Sequence, residues 1–169
     1  MKAFTFTLIS LLCSNAVLAQ KVDGWQAVSW GMSDEDILKL IPGTVRTEKP
    51  VEFDSVWHRA SGVVLPKVAL SRGHEFKVYF VKHADKLNYI VFSPLFGEDD
   101  HTRAFDALEE ALTAKYGPPS LSRSRSDQQM RLWRIDQTAI ELEWSRIGNS
   151  VRHMSLMYQS IAGPDTAKL

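Results

Sequence analysis

The chain has 169 residues, with 20 basic and 20 acidic side chains, five histidines and one cysteine. At 44% hydrophobic and 24% charged it lies in the range of folded globular proteins, which excludes disordered and collagen-like classes. Its balanced charge supplies no global basic field to attract nucleic acid or anionic lipid, and one cysteine closes no intramolecular disulfide.

Lys2 precedes an apolar run from Ala3 to Leu12, and Val17 and Ala19 stand where a signal peptidase reads small residues. That run is too short to cross a bilayer, which takes roughly 20 residues. The pattern predicts a Sec-type signal peptide over residues 1–19, cut after Ala19, and a destination in the periplasm of a Gram-negative cell. Leu12 before Cys13 does not fit a lipidated cysteine. Cleavage removes the lone cysteine, and with it thiol nucleophiles, thiolate zinc sites and iron–sulfur ligation. No later stretch is apolar enough to span a membrane. Residues 20–161 read as one domain, of a size that buries roughly 68–70% of its unfolded surface, and 162–169 as a frayed tail.

The first element follows Trp30-Gly31-Met32-Ser33. Ser33 is a helix cap, Asp36 completes a capping box, and Asp34 and Glu35 suit the positive helix end. Met32 and Ile37 have the spacing of a hydrophobic staple, and Pro42-Gly43 stops the helix. The chain is polar from Thr44 to Pro50. Val51, Phe53 and Trp57 then alternate with polar residues, and Val63 to Leu70 forms a second strand whose Pro66 predicts an edge position or a bend. His74 to Lys82 and Leu87 to Phe92 alternate around a turn at Ala84-Asp85. Asp99 or Asp100 caps a longer helix with Phe105, Leu108, Leu112 and Tyr116 on one stripe, closed by Gly117 and Pro118-Pro119. Ser120 to Gln129 reads as a loop. Three strands follow, Met130 to Ile135, Ala139 to Arg146 and Ser150 to Gln159, the last two turning at Gly148-Asn149.

The closing hairpins superpose at an offset of 64 residues: Phe76, Val78 and Phe80 fall on Ile140, Leu142 and Trp144, and Leu87, Ile90 and Phe92 on Val151, Met154 and Leu156. The fold class expected from this is α+β, two-layer, with two tandem helix-then-antiparallel-strands units (about 30–94 and 99–160) forming one curved sheet with helices on one face. With the string Trp30-Gly31-Met32-Ser33-Asp34 opening the first helix, the plan resembles the tandem helix-plus-sheet repeats of β-lactamase inhibitor proteins and, more loosely, the small lipoproteins of the outer-membrane assembly machinery. The chain lacks the disulfides of the former and the lipidated cysteine of the latter, so neither function is carried over.

Little chemistry is written in the motifs. His74-Glu75 starts like a helical zinc motif, but position 78 is valine and the segment is strand-like; the five histidines are dispersed. The acidic clusters Asp34-Glu35-Asp36 and Glu98-Asp99-Asp100 sit at helix starts and match no EF-hand loop. No G-x-S-x-G elbow and no glycine-rich phosphate loop occurs. No metal, cofactor or catalytic residue is expected.

Two recognition surfaces remain. One is Arg123, Arg125 and Arg131 beside Trp133, residue types enriched at interface hot spots. The other is the sheet face pointing away from the helices, carrying Lys77, Tyr79, Val81, Glu141, Glu143 and Ser145, with Tyr79 and Val81 as its apolar contacts. The expectation is an exported, non-enzymatic module that binds another protein, of inhibitor, immunity or envelope-assembly type. Two alternatives stand beside it. One is a carrier of a small apolar or lipidic ligand, motivated by the 15 aromatic residues after Ala19; the other is a hydrolase with spatially assembled carboxylates.

Overall fold

A computed structural model describes residues 23–54, 59–97, 100–147 and 151–161. The signal segment, Trp57, Glu98-Asp99, the Gly148-Asn149 turn and the tail 162–169 lie outside the described residues.

A small hairpin opens the description, β1 (Gly24–Trp25) paired with β2 (Val28–Ser29). Helix α1 (Asp34–Leu40) starts at Ser33 with the capping box in place: the Asp36 amide donates to Ser33 Oγ at 3.3 Å, and the Ser33 amide donates to Asp36 Oδ2 at 3.2 Å. The Ser33 hydroxyl and amide hold the Asp36 carboxyl below the usual range. Four strands follow: β3 (Val45–Asp54), β4 (Arg59–Ala69), β5 (Glu75–His83) and β6 (Lys86–Pro94). Helix α2 (His101–Tyr116) precedes four more: β7 (Leu121–Ser124), β8 (Gln128–Ile135), β9 (Thr138–Ile147) and β10 (Val151–Ser160).

All eight longer strands join in one antiparallel sheet, ordered β3-β4-β5-β6-β10-β9-β8-β7. This overturns the α+β plan of two tandem helix-then-strands units. The molecule is mostly β, with two helices of 7 and 16 residues among the described residues, and a single large sheet organises it. The physical reason is the seam between β6 and β10, where Leu156 pairs with Phe92 and Tyr158 with Ile90. Backbone hydrogen bonds run across this junction, so neither stretch of strands ends in a free edge there.

Sequence signals explain several details. Pro66 sits at a register shift between Leu65 and Val68, beyond the last β3 partner of β4, which is Val64, so its missing amide proton costs no ladder bond to β3. Ala84 and Asp85 both take positive φ, 49° and 60°, as a tight two-residue hairpin turn requires. Gly117 closes α2 at φ 81°, its amide donating to the Thr113 carbonyl. Asp100 holds the N-cap position of α2, but its carboxylate pairs with Arg103 instead of capping a backbone amide. Two segments without a strand pattern in the sequence are strands: the polar stretch Val45–Pro50 belongs to β3, and Leu121–Ser124, read as part of a loop, is the edge strand β7.

One face of the sheet is sealed. Phe76, Val78, Phe80, Ile90, Phe92, Ile140, Leu142, Met154 and Leu156 form a continuous buried cluster with Ile37, Phe105, Leu108 and Leu112 of the helices. Val28 and Trp25 of the β1–β2 hairpin complete it, Trp25 edge-on to Phe92 at 5.1 Å. Trp30 reaches across to β9, its Nε1 donating to Thr138 Oγ1 at 3.0 Å. Asp34 docks α1: its Oδ2 lies 3.0 Å from Lys82 Nζ of β5, and a Cβ at Gly62 would stand 2.9 Å from that oxygen, so glycine makes the room. Truncating Phe92 to alanine at the seam is expected to lower unfolding free energy by about 3–5 kcal/mol, against about 0.5 kcal/mol or less for Leu121→Ala at the exposed edge. Urea denaturation of the two variants measures both; equal losses would contradict the seam's place in the core.

Candidate functional site

The opposite face has no helix on it among the described residues. Residues directly opposed in an antiparallel ladder point the same way, so the register traces what this face carries. One row crosses all eight strands: Val45, Val64, Tyr79, Val91, Met157, Glu141, Leu132, Leu121. Glu141 is its one charged member. Val45 and Leu121 at the two ends are 46% and 37% exposed, while Tyr79, Val91, Met157, Glu141 and Leu132 are half-buried. Beside this row, Glu143 of β9 lies between Ser155 of β10 and Met130 of β8, and Met130 faces Arg123 of β7.

Toward the β3 side the face hollows into a groove of about 240 Å³ lined by Val51, Phe53, Tyr79, Val91, Ser93, His153 and Ser155. Phe53, 41% exposed, meets the Tyr79 ring edge-on at 5.3 Å, and Lys77 Nζ stands 5.1 Å over that ring. At the neighbouring end, the Arg59 guanidinium covers Tyr89 at 4.5 Å.

The residues singled out from sequence divide between inside and outside. Tyr79 lines the groove. Val81 points to the same face but is 1% exposed, so it offers no contact area. Trp133 is 1% exposed on the helix-facing side, its Nε1 donating to the Gly117 carbonyl at 3.0 Å. Arg131 is largely buried: Nε pairs with Glu109 of α2 at 2.5 Å, Nη1 donates to the Arg123 carbonyl and Ser124 Oγ, and the guanidinium lies 5.4 Å from the Phe105 ring centre. Trp133 and Arg131 therefore fasten α2 to the edge of the sheet and present no recognition surface. Arg123 and Arg125 are exposed, Arg123 on the open face beside Met130. Sequence reasoning missed Phe53, Val91, Met157 and Leu132. The available signal was the outward positions of Leu87–Phe92 and Ser150–Gln159, apolar at Tyr89, Val91 and Met157 where a solvated face carries polar residues.

Glu141 is the electrostatic feature of this face. Burial, and then the neighbouring Glu143 carboxylate, push its carboxyl above the ordinary range. Gln128 Nε2 donates to Glu143 Oε1 at 3.0 Å. A raised glutamate beside a second carboxylate also suits general acid chemistry, but the cross-strand neighbours of Glu141 are Leu132 and Met157, which offer no polar group to orient a substrate. Across the core, Tyr158 is likewise held above the usual phenol range by burial and by Tyr116.

Other charged groups are engaged locally. Arg72, His74, Asp100, Arg103 and Asp106 line a hollow of about 360 Å³ near the start of α2, where Arg72 pairs with Glu110 at 2.5 Å and Arg103 with Asp100. In the first acidic cluster, Asp34 pairs with Lys82, Glu35 with Arg46, and Asp36 caps the helix. No group of three or more metal-ligating side chains occurs among the described residues, and among them no helix is long and apolar enough to cross a membrane. No family model, curated protein or solved structure matches the chain. The geometry of the open face is therefore the ground for a functional reading.

The raised Glu141 has a consequence for stability. The folded state binds its proton more tightly than the unfolded state, whose glutamate titrates near about pH 4.3, so its contribution to stability is present below that pH and lost as pH rises through the folded value. Glu141→Gln should therefore match the wild type in urea midpoint near pH 4 and exceed it at pH 7. A wild type more stable than the variant at pH 7 would contradict the assignment.

Proposed function

We propose that the chain is an exported, non-enzymatic binding module of the periplasm that holds a protein partner against its open sheet face. The observation that carries this reading is the row from Val45 to Leu121, apolar but for Glu141, which crosses the full width of the sheet, is left uncovered by both helices and is at least partly exposed at every member except Val64, 4% exposed. A patch of this kind on a folded protein marks an interaction surface, and exposed Phe53 with half-buried Tyr79 supplies residue types favoured at interface centres.

The partner is a protein, not a small ligand, because the row is long and open and its groove is shallow in volume, about 240 Å³. The carrier alternative needs room between helices and sheet, and that space is occupied by Phe76, Phe92, Phe105, Ile140 and Leu142, all buried. For nucleic acid, the basic groups on this face, Lys77, Arg123 and Arg134, are interspersed with Glu141 and Glu143 and form no uniformly basic surface among the described residues. The signal-like segment before Gln20 supports export. Inhibitor, immunity and envelope-assembly roles are the versions of this function that share the same surface.

The test is affinity capture from periplasmic extract with wild-type protein and with a Tyr79→Asp/Val91→Asp variant of unchanged far-UV circular dichroism. The expected result is a partner retained by the wild type and lost by the variant. The same partners on both would remove the open face as the binding surface.

A further inference from the structure

We propose that β7 is a docking edge for an extended acidic segment of another protein, which adds to the sheet as a further strand. The inference concerns the rim of the sheet and does not rest on the open-face reading. Among the described residues the sheet ends in two strands, β3 and β7. β3 is a poor template: its register to β4 shifts between Arg46 and Val51 and again between Glu52 and Asp54, and Pro50 falls within the first shift. β7 keeps an unbroken register from Leu121 with Leu132 to Ser124 with Gln129 and contains no proline.

The hairpin that joins β7 to β8 is closed by the Arg125 amide, which donates to the Gln128 carbonyl at 2.7 Å. Bonded and non-bonded pairs alternate along an antiparallel ladder. Arg123 and Leu121 therefore turn their amides and carbonyls in toward β8, and Ser122 and Ser124 turn theirs outward. Among the described residues no strand lies beyond these outward groups. The side chains choose the occupant. Leu121 and Arg123 project to one side of the strand and are exposed, with exposed Arg125 two residues on. Arg131 is held by Glu109, whereas among the described residues Arg123 and Arg125 have no ion-pair partner. Two copies of the chain joined at this edge would gather the arginines of both on one short ladder, which opposes self-addition. A segment with carboxylates at alternate positions satisfies the cations and the outward backbone groups together.

The experiment uses two fluorescein-labelled heptapeptides with threonine at the odd positions and valine at the sixth; the second and fourth positions are glutamate in one and lysine in the other. Laid antiparallel along β7, the glutamates meet Arg125 and Arg123 and the valine meets Leu121. Anisotropy titration with the wild-type protein should give binding of the glutamate peptide about tenfold tighter or more. Arg123→Glu/Arg125→Glu should reverse that preference. Ser122→Pro removes an outward amide proton and no bond to β8. It should weaken the glutamate peptide about fivefold or more, with far-UV circular dichroism unchanged. Absence of binding or of a glutamate preference in the wild type overturns the docking edge, as does a preference that survives Arg123→Glu/Arg125→Glu. Undiminished binding by Ser122→Pro overturns strand addition. Each of these failures leaves the open-face reading standing, because that reading is tested on β5 and β6.

Discussion

Joining β6 to β10 is the constraint on which the rest of the molecule depends. Phe92 and Leu156 lie side by side across that ladder, both inside the core, and strands extend outward from them on either side. Eight strands at about 4.8 Å spacing make a sheet roughly 35 Å wide, with two faces to satisfy. The chain supplies a seven-residue helix, a sixteen-residue helix and a two-by-two hairpin as cover. That is enough for one face. Among the described residues the other face carries no helix or hairpin and keeps a largely apolar row, and the proposed function follows from that imbalance.

Charged contacts fix the cover in place more than they add net stability. Lys82 of β5 meets Asp34 of α1, and Arg131 of β8 meets Glu109 of α2, each pair shielded from solvent on at least one side. Breaking such a pair strands a partly buried charge, so these residues specify where each helix sits. The same logic explains why Arg131 and Trp133 look like an interface in the sequence. They are an interface, but an internal one, with the Gly117 carbonyl and Glu109 as their partners.

Much of the local structure was legible because its signals are local. The Ser33–Asp36 capping box, the α2 stripe ending at Gly117 and the alternation of β5, β6, β9 and β10 each depend on residues a few positions apart. Elements whose existence depends on distant partners were not legible. Leu121–Ser124 has four exposed side chains and no apolar alternation, and it is a strand because β8 pairs with it. Gly24–Trp25 and Val28–Ser29 are too short to leave a pattern, yet Trp25 packs on Phe92. The two-unit plan expected one curved sheet but misjudged its weight: eight strands, β3 and β7 among them, organise a mostly β molecule with two helices among the described residues, and the pairing that makes edge segments into strands is not encoded in alternation within a hairpin. Val81 is a finer case. Its outward register was readable, whereas its burial was not.

The account's central claim is that one face of the sheet is sealed and the other is available. Ile90 and Val91 are neighbours in β6 on opposite faces, Ile90 wholly buried in the core and Val91 half-buried in the open row. Single-cysteine variants Ile90→Cys and Val91→Cys, made in a Cys13→Ser background, can be compared by their rates of maleimide labelling under native conditions. Cysteine at 91 should label rapidly, and cysteine at 90 about a thousandfold more slowly, because it reacts only when the core opens. Equal rates at the two positions would contradict the division of the sheet into a covered face and a binding face.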